Sequence, residues 1–290
     1  PSSSFSALSG SFSSMHALEA LCQSLPPPNT QAQNAIAQRE AELTKPPGSL
    51  GHLEEMTRWL GGWQHTPSPR MEHVHVLIFA GNHGVMAHHV SPWPVEVTAQ
   101  MVRNFEHGGA AINQIARVAQ AQLAVVPVQN LTPTADFTIA PAMTEQDFLA
   151  AVQLGFNAVP HTCDLLCLGE MGIGNTTTAA ALCAALTHQH GADWAGQGTG
   201  LDDAGTAHKA AVIDIALAHH RAYLDNPLEI ARRLGGYELA PTLGATLAAR
   251  FRHIPGILDG FVCHAALAPA AHLPSHALNP SDLPPSQPAA

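Results

Sequence analysis

The stretch that decides the fold is Cys163–Leu186, which reads CDLLCLGEMGIGNTTTAAALCAAL. Its apolar beginning, Asp164–Leu168, predicts a buried strand. A helix is predicted to open at Asn175 and to continue as AAALCAAL, a run with close to ideal helix propensity. Between them, Gly169–Gly174 predicts a glycine-rich turn. A strand, a glycine turn and a helix start in this order are typical of an anion site, because the first amide groups of a helix have no partner within it and the helix dipole is positive there.

The turn also predicts which residues would contact a phosphate. Gly172 and Gly174 would let the backbone approach the anion, Asn175 begins the helix, and Thr176 and Thr177 would add hydroxyl donors. No Lys-Ser or Lys-Thr pair follows the glycines, and a third glycine is missing at the required spacing, so neither a Walker A loop nor a dinucleotide fingerprint is present. On the local pattern alone, an ordinary capped helix after a strand explains the stretch equally well.

Composition restricts the kind of protein. The chain has 290 residues and is 46% hydrophobic, which is enough for a full core. Its net charge of -10 excludes a basic surface for nucleic acid or for an anionic membrane. The five cysteines are an odd number without a disulfide framework, which predicts reduced, buried thiols of a cytoplasmic protein. No apolar run reaches the length of about 18 residues that a transmembrane helix needs.

The chain divides into four parts. We expect a disordered Ser-rich leader over residues 1–14, a helical segment of a smaller subdomain over 15–65, an α/β domain over 66–268, and a disordered tail over 269–290, which holds six prolines. Within the large part, strands alternate with helices, which predicts a doubly wound α/β fold with a parallel sheet. The predicted strands are Val74–Ala80, Leu123–Val128, Asp164–Leu168 and Pro255–Val262.

Several residues near strand ends are candidates for ligand contact. His83 follows the first strand, at the edge where ligands bind in α/β folds, and Asp259 lies near the end of the last strand. Trp93 stands in a proline-flanked loop, where it would stack on a flat ligand or fill a hydrophobic gap. Although the chain has nineteen histidines, none forms a His-Glu-x-x-His helix or a Cys/His knuckle, so we predict no metal site.

Seven collinear segments resemble a known family. They are TKPPGSLGHLEEM, IFAGNHGV, VSPWPVEVTAQMVRNF, GGAAINQIA, CLGEMGIGNTT, RRLGGYE and ILDGFV, and the resemblance around them extends from about residue 35 to about residue 268. Together they are similar to the nicotinate-nucleotide:5,6-dimethylbenzimidazole phosphoribosyltransferase family, which acts in the synthesis of the lower ligand of cobalamin.

The resemblance implies a fold, a reaction and an assembly. The fold would be a Rossmann-like, mostly parallel sheet flanked by helices, with a smaller helical subdomain, in a homodimer. The reaction would join the phosphoribosyl group of nicotinate mononucleotide to dimethylbenzimidazole, giving α-ribazole 5′-phosphate and nicotinate. The resemblance implies neither a metal ion nor an organic cofactor.

The resemblance also implies roles for individual residues. The helix start from Gly172 to Thr177 would hold the 5′-phosphate, and Lys209 matches a family lysine near the nucleotide, although a solvated helix charge is the alternative. Asp259 would orient ribose hydroxyls or cap a turn. His83, the Trp93 loop and Met101 would contact the aromatic base.

One part of the family pattern is not found in the sequence. Family members have a distal segment whose glutamate accepts the proton of the incoming base, and we expect the corresponding C-terminal part to be missing here. Glu170 matches a family glutamate that contacts substrate, so it is the candidate to compensate, while bonding to loop amides is its alternative role. Two expectations stay open, namely an enzyme of reduced activity and a homologue that binds the nucleotide or the base without catalysis.

Overall fold

A computed structural model describes residues 12–273 of the chain. Within them, four strands form one parallel sheet in the order β2-β1-β3-β4. The strands are β1 (Val74–Ala80), β2 (Gln122–Pro127), β3 (Leu165–Met171) and β4 (Gly256–Leu258). The predicted parallel α/β sheet is therefore confirmed, and the carboxyl ends of all four strands lie along the same edge.

Helices flank the sheet on both faces. In chain order they are α1 (Met15–Gln23), α2 (Thr30–Glu42), α3 (His52–Trp63), α4 (Glu96–Glu106), α5 (Ala111–Val118), α6 (Glu145–Ala158), α7 (Asn175–Thr187), α8 (Gly191–Trp194), α9 (Asp203–His220), α10 (Pro227–Leu234), α11 (Leu239–Phe251) and α12 (Phe261–Ala271). None of these described helices is both long enough and apolar enough to cross a lipid bilayer.

The alternation of side chains along β1 separates two cores. Leu77 and Phe79 point to the face covered by α6 and α11, where Phe148 and Leu243 complete the largest apolar cluster. Residues on the opposite face of the strand pack beneath α4 and α5. Strand β1 is buried along nearly its whole length. Its nearly continuous apolar sequence is typical of a central strand in a parallel sheet.

Helix α7 is buried on all sides. Its alanine-rich sequence presents small side chains in every direction, so α8, α9, α10 and α12 all contact it. The small side chains allow these helices to approach closely, and the apolar packing fixes the axis of α7. The start of α7 therefore has a rigid position at the carboxyl edge of the sheet.

Two predicted strand boundaries are wrong. Strand β3 does not end at Leu168 but continues to Met171, because its pairing with β1 extends to the partners Ala80 and Met171. The last strand is limited to β4, and the segment predicted as its second half instead begins α12 at Phe261, after Gly260 turns the chain with a φ of 83°.

The predicted chain ends also need correction. Residues 12–14 are not a disordered leader, because Ser14 caps α1 and the ring of Phe12 packs edge-on against Phe156 with centroids 5.6 Å apart. The predicted tail boundary at 269 is wrong too, since α12 continues through Pro269 and Leu273 is buried. Residues 1–11 and 274–290 lie outside the described part of the chain.

The helical segment predicted over 15–65 divides between two environments. Helices α2 and α3 pack on each other, as a small helical unit would. Helix α1, in contrast, buries Leu18 and Cys22 in the main core beside α6 and α11. The five cysteines are free, and all but Cys167 are buried, in agreement with the predicted buried thiols.

Candidate functional site

A glycine turn connects the end of β3 to α7 at the carboxyl edge of the sheet. The turn is Gly172–Gly174, and the backbone of Gly174 is left-handed, with φ 91° and ψ -5°. A Cβ atom at this position would lie 2.7 Å from the sulfur of Met86. Glycine is therefore required here both for its backbone conformation and for the close approach of the neighbouring loop.

A narrow cleft of about 290 Å³ opens above this turn. Four of the residues predicted to bind phosphate line it, together with Lys209 and parts of two loops. The lining residues are Val90, Ser91, Pro92, Gly172, Ile173, Gly174, Asn175, Thr176, Gln197, Gly198, Thr199, Leu201 and Lys209. The structure thus brings together side chains that are more than a hundred positions apart in the sequence.

Lys209 reaches the cleft from α9 and is only 1% exposed. Its Nζ donates hydrogen bonds to Thr176 Oγ1 at 2.7 Å and to the carbonyl oxygen of Gly196 at 3.2 Å. Burial lowers the pKa of Lys209 to about 8. The alternative that Lys209 is a solvated charge is therefore wrong. Because no described carboxylate forms an ion pair with Lys209, a bound anion would stabilise its ammonium group.

The start of α7 is open on the cleft side. Among the described residues no side chain caps it at Gly174. The amide of Ile173, in the turn itself, is bound by Thr98 Oγ1 at 3.1 Å. Thr177, in contrast to Thr176, is fully buried and does not line the cleft, so its predicted contact with a phosphate stays a prediction.

Glu170 lies at the end of β3, one residue before the strand ends. The side-chain amide of Asn175 donates a hydrogen bond to its carboxylate. Burial, followed by the negative charge of Glu238, raises the pKa of Glu170 to about 7, although the Asn175 hydrogen bond and His83 act in the opposite direction. A carboxyl group with this pKa exchanges protons near neutral pH.

His83 lies behind the turn rather than in the cleft. Its Nε2 is 2.6 Å from Glu238 Oε1, and its Nδ1 is 3.0 Å from Thr178 Oγ1. The side chains of His83 and Glu238 are 1% and 0% exposed. Both ring nitrogens are thus engaged within the protein, and the predicted contact of His83 with an aromatic base stays a prediction.

The remaining candidates occupy different surroundings. Trp93 is 50% exposed at the lip of the cleft, where its indole nitrogen donates to the carbonyl of Thr199 at 3.1 Å. Trp93 therefore does not fill a hydrophobic gap. Met101 packs against the apolar cluster beneath α4, and Asp259 is exposed directly after β4. Their predicted substrate contacts remain predictions.

A larger depression of about 900 Å³ lies at the opposite edge of the sheet. Two of its polar side chains are already bonded within the protein, since Gln64 donates to the carbonyl of Asp164 and Arg252 donates to that of Val159. Among residues 12–273, no three His, Cys, Asp or Glu side chains are grouped so that they could hold a metal ion. The cleft above the glycine turn is therefore the better candidate site.

Glu238 and Thr178 are site residues that our sequence reasoning missed. Glu238 follows Tyr237 at the start of α11 and is the last residue of the family-like segment RRLGGYE, whose sequence alone indicates no role for it. Thr178 lies in the same Thr-Thr-Thr run as Thr176. The helical spacing alone could have separated these two threonines, because consecutive residues of a helix point in directions about 100° apart.

Comparison with known proteins gives consistent matches. A family model described as phosphoribosyltransferase matches residues 25–279. A curated protein from Mesorhizobium japonicum named nicotinate-nucleotide–dimethylbenzimidazole phosphoribosyltransferase is 54% identical, over 90% of this chain and 78% of that protein. A protein of the same name from Ruegeria sp. is 52% identical, over 88% of this chain and 75% of its own length.

The fold has a solved counterpart as well. The crystal structure of a protein of that name from Thermus thermophilus is similar to this chain with a TM-score of 0.75 at 35% identity. The match covers 85% of this chain and 78% of that one. These relatives have the name of the family that the seven sequence segments resemble.

Proposed function

Because this chain belongs to the nicotinate-nucleotide–dimethylbenzimidazole phosphoribosyltransferase family, we propose that it transfers the 5-phosphoribosyl group of nicotinate mononucleotide to dimethylbenzimidazole. The products are α-ribazole 5′-phosphate and nicotinate. The observation that best supports this substrate is Lys209, a buried cation without a carboxylate partner among the described residues, beside an uncapped helix start. A phosphate would supply the missing negative charge.

The chemistry requires one substitution at ribose C1′. The bond from C1′ to the pyridinium nitrogen of the nucleotide breaks, and its electron pair leaves with nicotinate. A ring nitrogen of the benzimidazole forms the new bond from the opposite face, so the configuration at C1′ inverts. The other ring nitrogen then loses its proton, because the incoming base would otherwise keep a positive charge.

Glu170 is our candidate for the acceptor of that proton. It adjoins the cleft through its hydrogen bond with Asn175, and the pKa of about 7 means that a fraction of the carboxyl groups is ionised at neutral pH. A positioned general base contributes typically about 10²–10⁴-fold to rate. Trp93 and Met101 are proposed to surround the base, and Asp259 to contact the ribose.

The test is nicotinate release by the purified chain, given nicotinate mononucleotide with and without dimethylbenzimidazole. We expect base-dependent release, and we expect Glu170→Gln to lower kcat by about 10²-fold or more while KM for the nucleotide changes little. The matched control is Glu106→Gln, an exposed carboxylate of α4. Binding of both substrates by a folded chain without nicotinate release would contradict the proposal.

The assembly and location of the protein are proposed on the same basis. We propose a homodimer in the cytoplasm, as the resemblance and the free cysteines suggest. Light scattering coupled to gel filtration would measure the mass in solution, which should be twice that of the 30.4 kDa chain. A monomer at micromolar concentration would contradict the dimer.

A further inference from the structure

A chain of three buried side chains lies directly behind the candidate site. Thr178 from α7 contacts one nitrogen of His83 at 3.0 Å, and the other nitrogen lies 2.6 Å from Glu238. Neither His83 nor Glu238 lines the cleft, so the proposed reaction does not use them directly. Burying a carboxylate costs free energy unless the group is paired. The presence of Glu238 at this buried position therefore requires an explanation.

Three glycines enclose the Glu238 carboxylate. A Cβ atom at Gly81 would lie 2.7 Å from Glu238 Oε2, one at Gly172 would lie 2.7 Å from Oε1, and one at Gly236 would lie 3.0 Å from Oε2. Three separate backbone segments therefore approach this carboxylate, and they can do so because they have no side chains there. One of them is the turn that forms the floor of the cleft.

The charges behind the turn act on Glu170. The negative charge of Glu238 raises the pKa of Glu170, and His83 lowers it. From α12, Cys263 faces the same region, but burial raises the pKa of its thiol to about 12, so it stays neutral. Asp259 is exposed after β4. The pair of Glu238 and His83 is therefore the buried neighbour that acts on Glu170. It is also close in space, since a Cβ atom at Gly172, two residues after Glu170, would lie 2.7 Å from Glu238 Oε1 and 3.0 Å from His83 Nε2.

We propose that the Glu238–His83–Thr178 chain is a positioning device that controls whether Glu170 holds a proton during the transfer. This inference rests on the proposed function, in which Glu170 accepts the proton of the incoming base. Glu238 disfavours a second negative charge at Glu170, and His83, held between Glu238 and Thr178, acts in the opposite direction. The three side chains hold each other in place and touch neither substrate.

The test compares two substitutions that remove opposite charges. Glu238→Gln removes the negative charge, so Glu170 should ionise more readily and the acid limb of the pH profile of kcat/KM should move to lower pH. His83→Gln leaves the charge of Glu238 unpaired, so the same limb should move to higher pH. We expect shifts of about half a pH unit or more in each direction.

Controls separate this effect from a structural one. His88→Gln is the matched control, since His88 lies on the same segment but pairs with Asp136 at 2.7 Å, and the limb should not move. Thr178→Val keeps the shape of the side chain and removes only the hydroxyl group. If either charge variant fails to fold, Thr178→Val decides the matter, with an expected shift in the direction of His83→Gln.

A second measurement makes the inference independent of turnover. The carbon-13 resonance of the Glu170 carboxyl group, assigned by its loss in Glu170→Gln, would be titrated in each folded variant. Opposite shifts of its midpoint in Glu238→Gln and His83→Gln would support the device even if no nicotinate were released, which would contradict only the proposed function. Unchanged midpoints, or shifts in the same direction, would overturn the inference.

Discussion

Lys209 combines two properties that rarely occur together, namely near-complete burial and no carboxylate partner among the described residues. If it binds the phosphate of the nucleotide, Lys209→Met should raise KM for nicotinate mononucleotide by about 10–100-fold, which corresponds to a charged hydrogen bond worth roughly 1.5–3 kcal/mol. Because the phosphate is held equally before and during the transfer, kcat should change much less. Arg117→Met, which removes an exposed cation of α5, is the control.

The same residue makes nucleotide binding depend on pH. Burial lowers the pKa of Lys209 to about 8, so the free protein loses this positive charge as the pH rises through that value. KM for the nucleotide should therefore rise above pH 8 in the unmodified chain and stay nearly constant there in Lys209→Met. An equal rise in both proteins would show that another group is responsible.

At the level of single residues, the sequence predicts small and charged groups better than buried networks. Gly172 stands out because a glycine turn before a helix is a known anion site, and Lys209 was indicated by the family resemblance. Glu238 does not, because its role arises from a contact with His83, which is 155 positions away. No periodicity or spacing in one sequence reports such a pairing, and only the fold brings these residues together.

Helices α6 and α11 pack so closely at Gly244 that a single added methyl group would test their contact. A Cβ atom at Gly244 would lie 1.9 Å from the carbonyl oxygen of Val152, a backbone atom that cannot move aside. Gly244→Ala should therefore lower the free energy of unfolding by about 2–4 kcal/mol, even though alanine favours a helix by up to about 1 kcal/mol.

Urea unfolding would measure this loss, and Gly256→Ala in β4 is the control because no atom lies within 4 Å of the added Cβ. The control should change stability by less than about 1 kcal/mol. An unchanged midpoint for Gly244→Ala would mean that the two helices separate at little cost.

The boundaries of helices and strands were predictable where a glycine clearly ended an apolar or helical run. The prediction for β1 is confirmed because an apolar run ends at a glycine, and Gly235 and Gly236 mark the break between α10 and α11. The end of β3 was missed because Gly169 and Glu170 have weak strand propensity, which pairing with β1 overrides. The sequence of α12 shows no amphipathic periodicity and contains Pro269, which is unfavourable inside a helix, so only its alanines favour one.

At the scale of the whole molecule, alternation of strands and helices predicted a parallel sheet but not the strand order. The order β2-β1-β3-β4 places β1 and β3 side by side at the centre. Their carboxyl ends therefore meet, and the residues that follow them, His83 and Gly172, become neighbours. The handedness and adjacency rules for parallel strands make such an arrangement expected, while the distances between its side chains depend on packing.

The net charge of the molecule leads to a final prediction. The chain has a formal charge of -10, and nicotinate mononucleotide is itself an anion, so the protein as a whole repels its proposed substrate. Salt should weaken this repulsion, because the screening length falls from about 30 Å at 0.01 M to about 8 Å at 0.15 M, while Lys209, buried beside the phosphate, is screened much less. KM for the nucleotide should therefore fall by about two-fold over this range. KM for the neutral dimethylbenzimidazole, measured in the same assays, should stay constant. A rise of KM for the nucleotide with salt would mean instead that attraction by exposed cations outweighs the charge of the whole molecule.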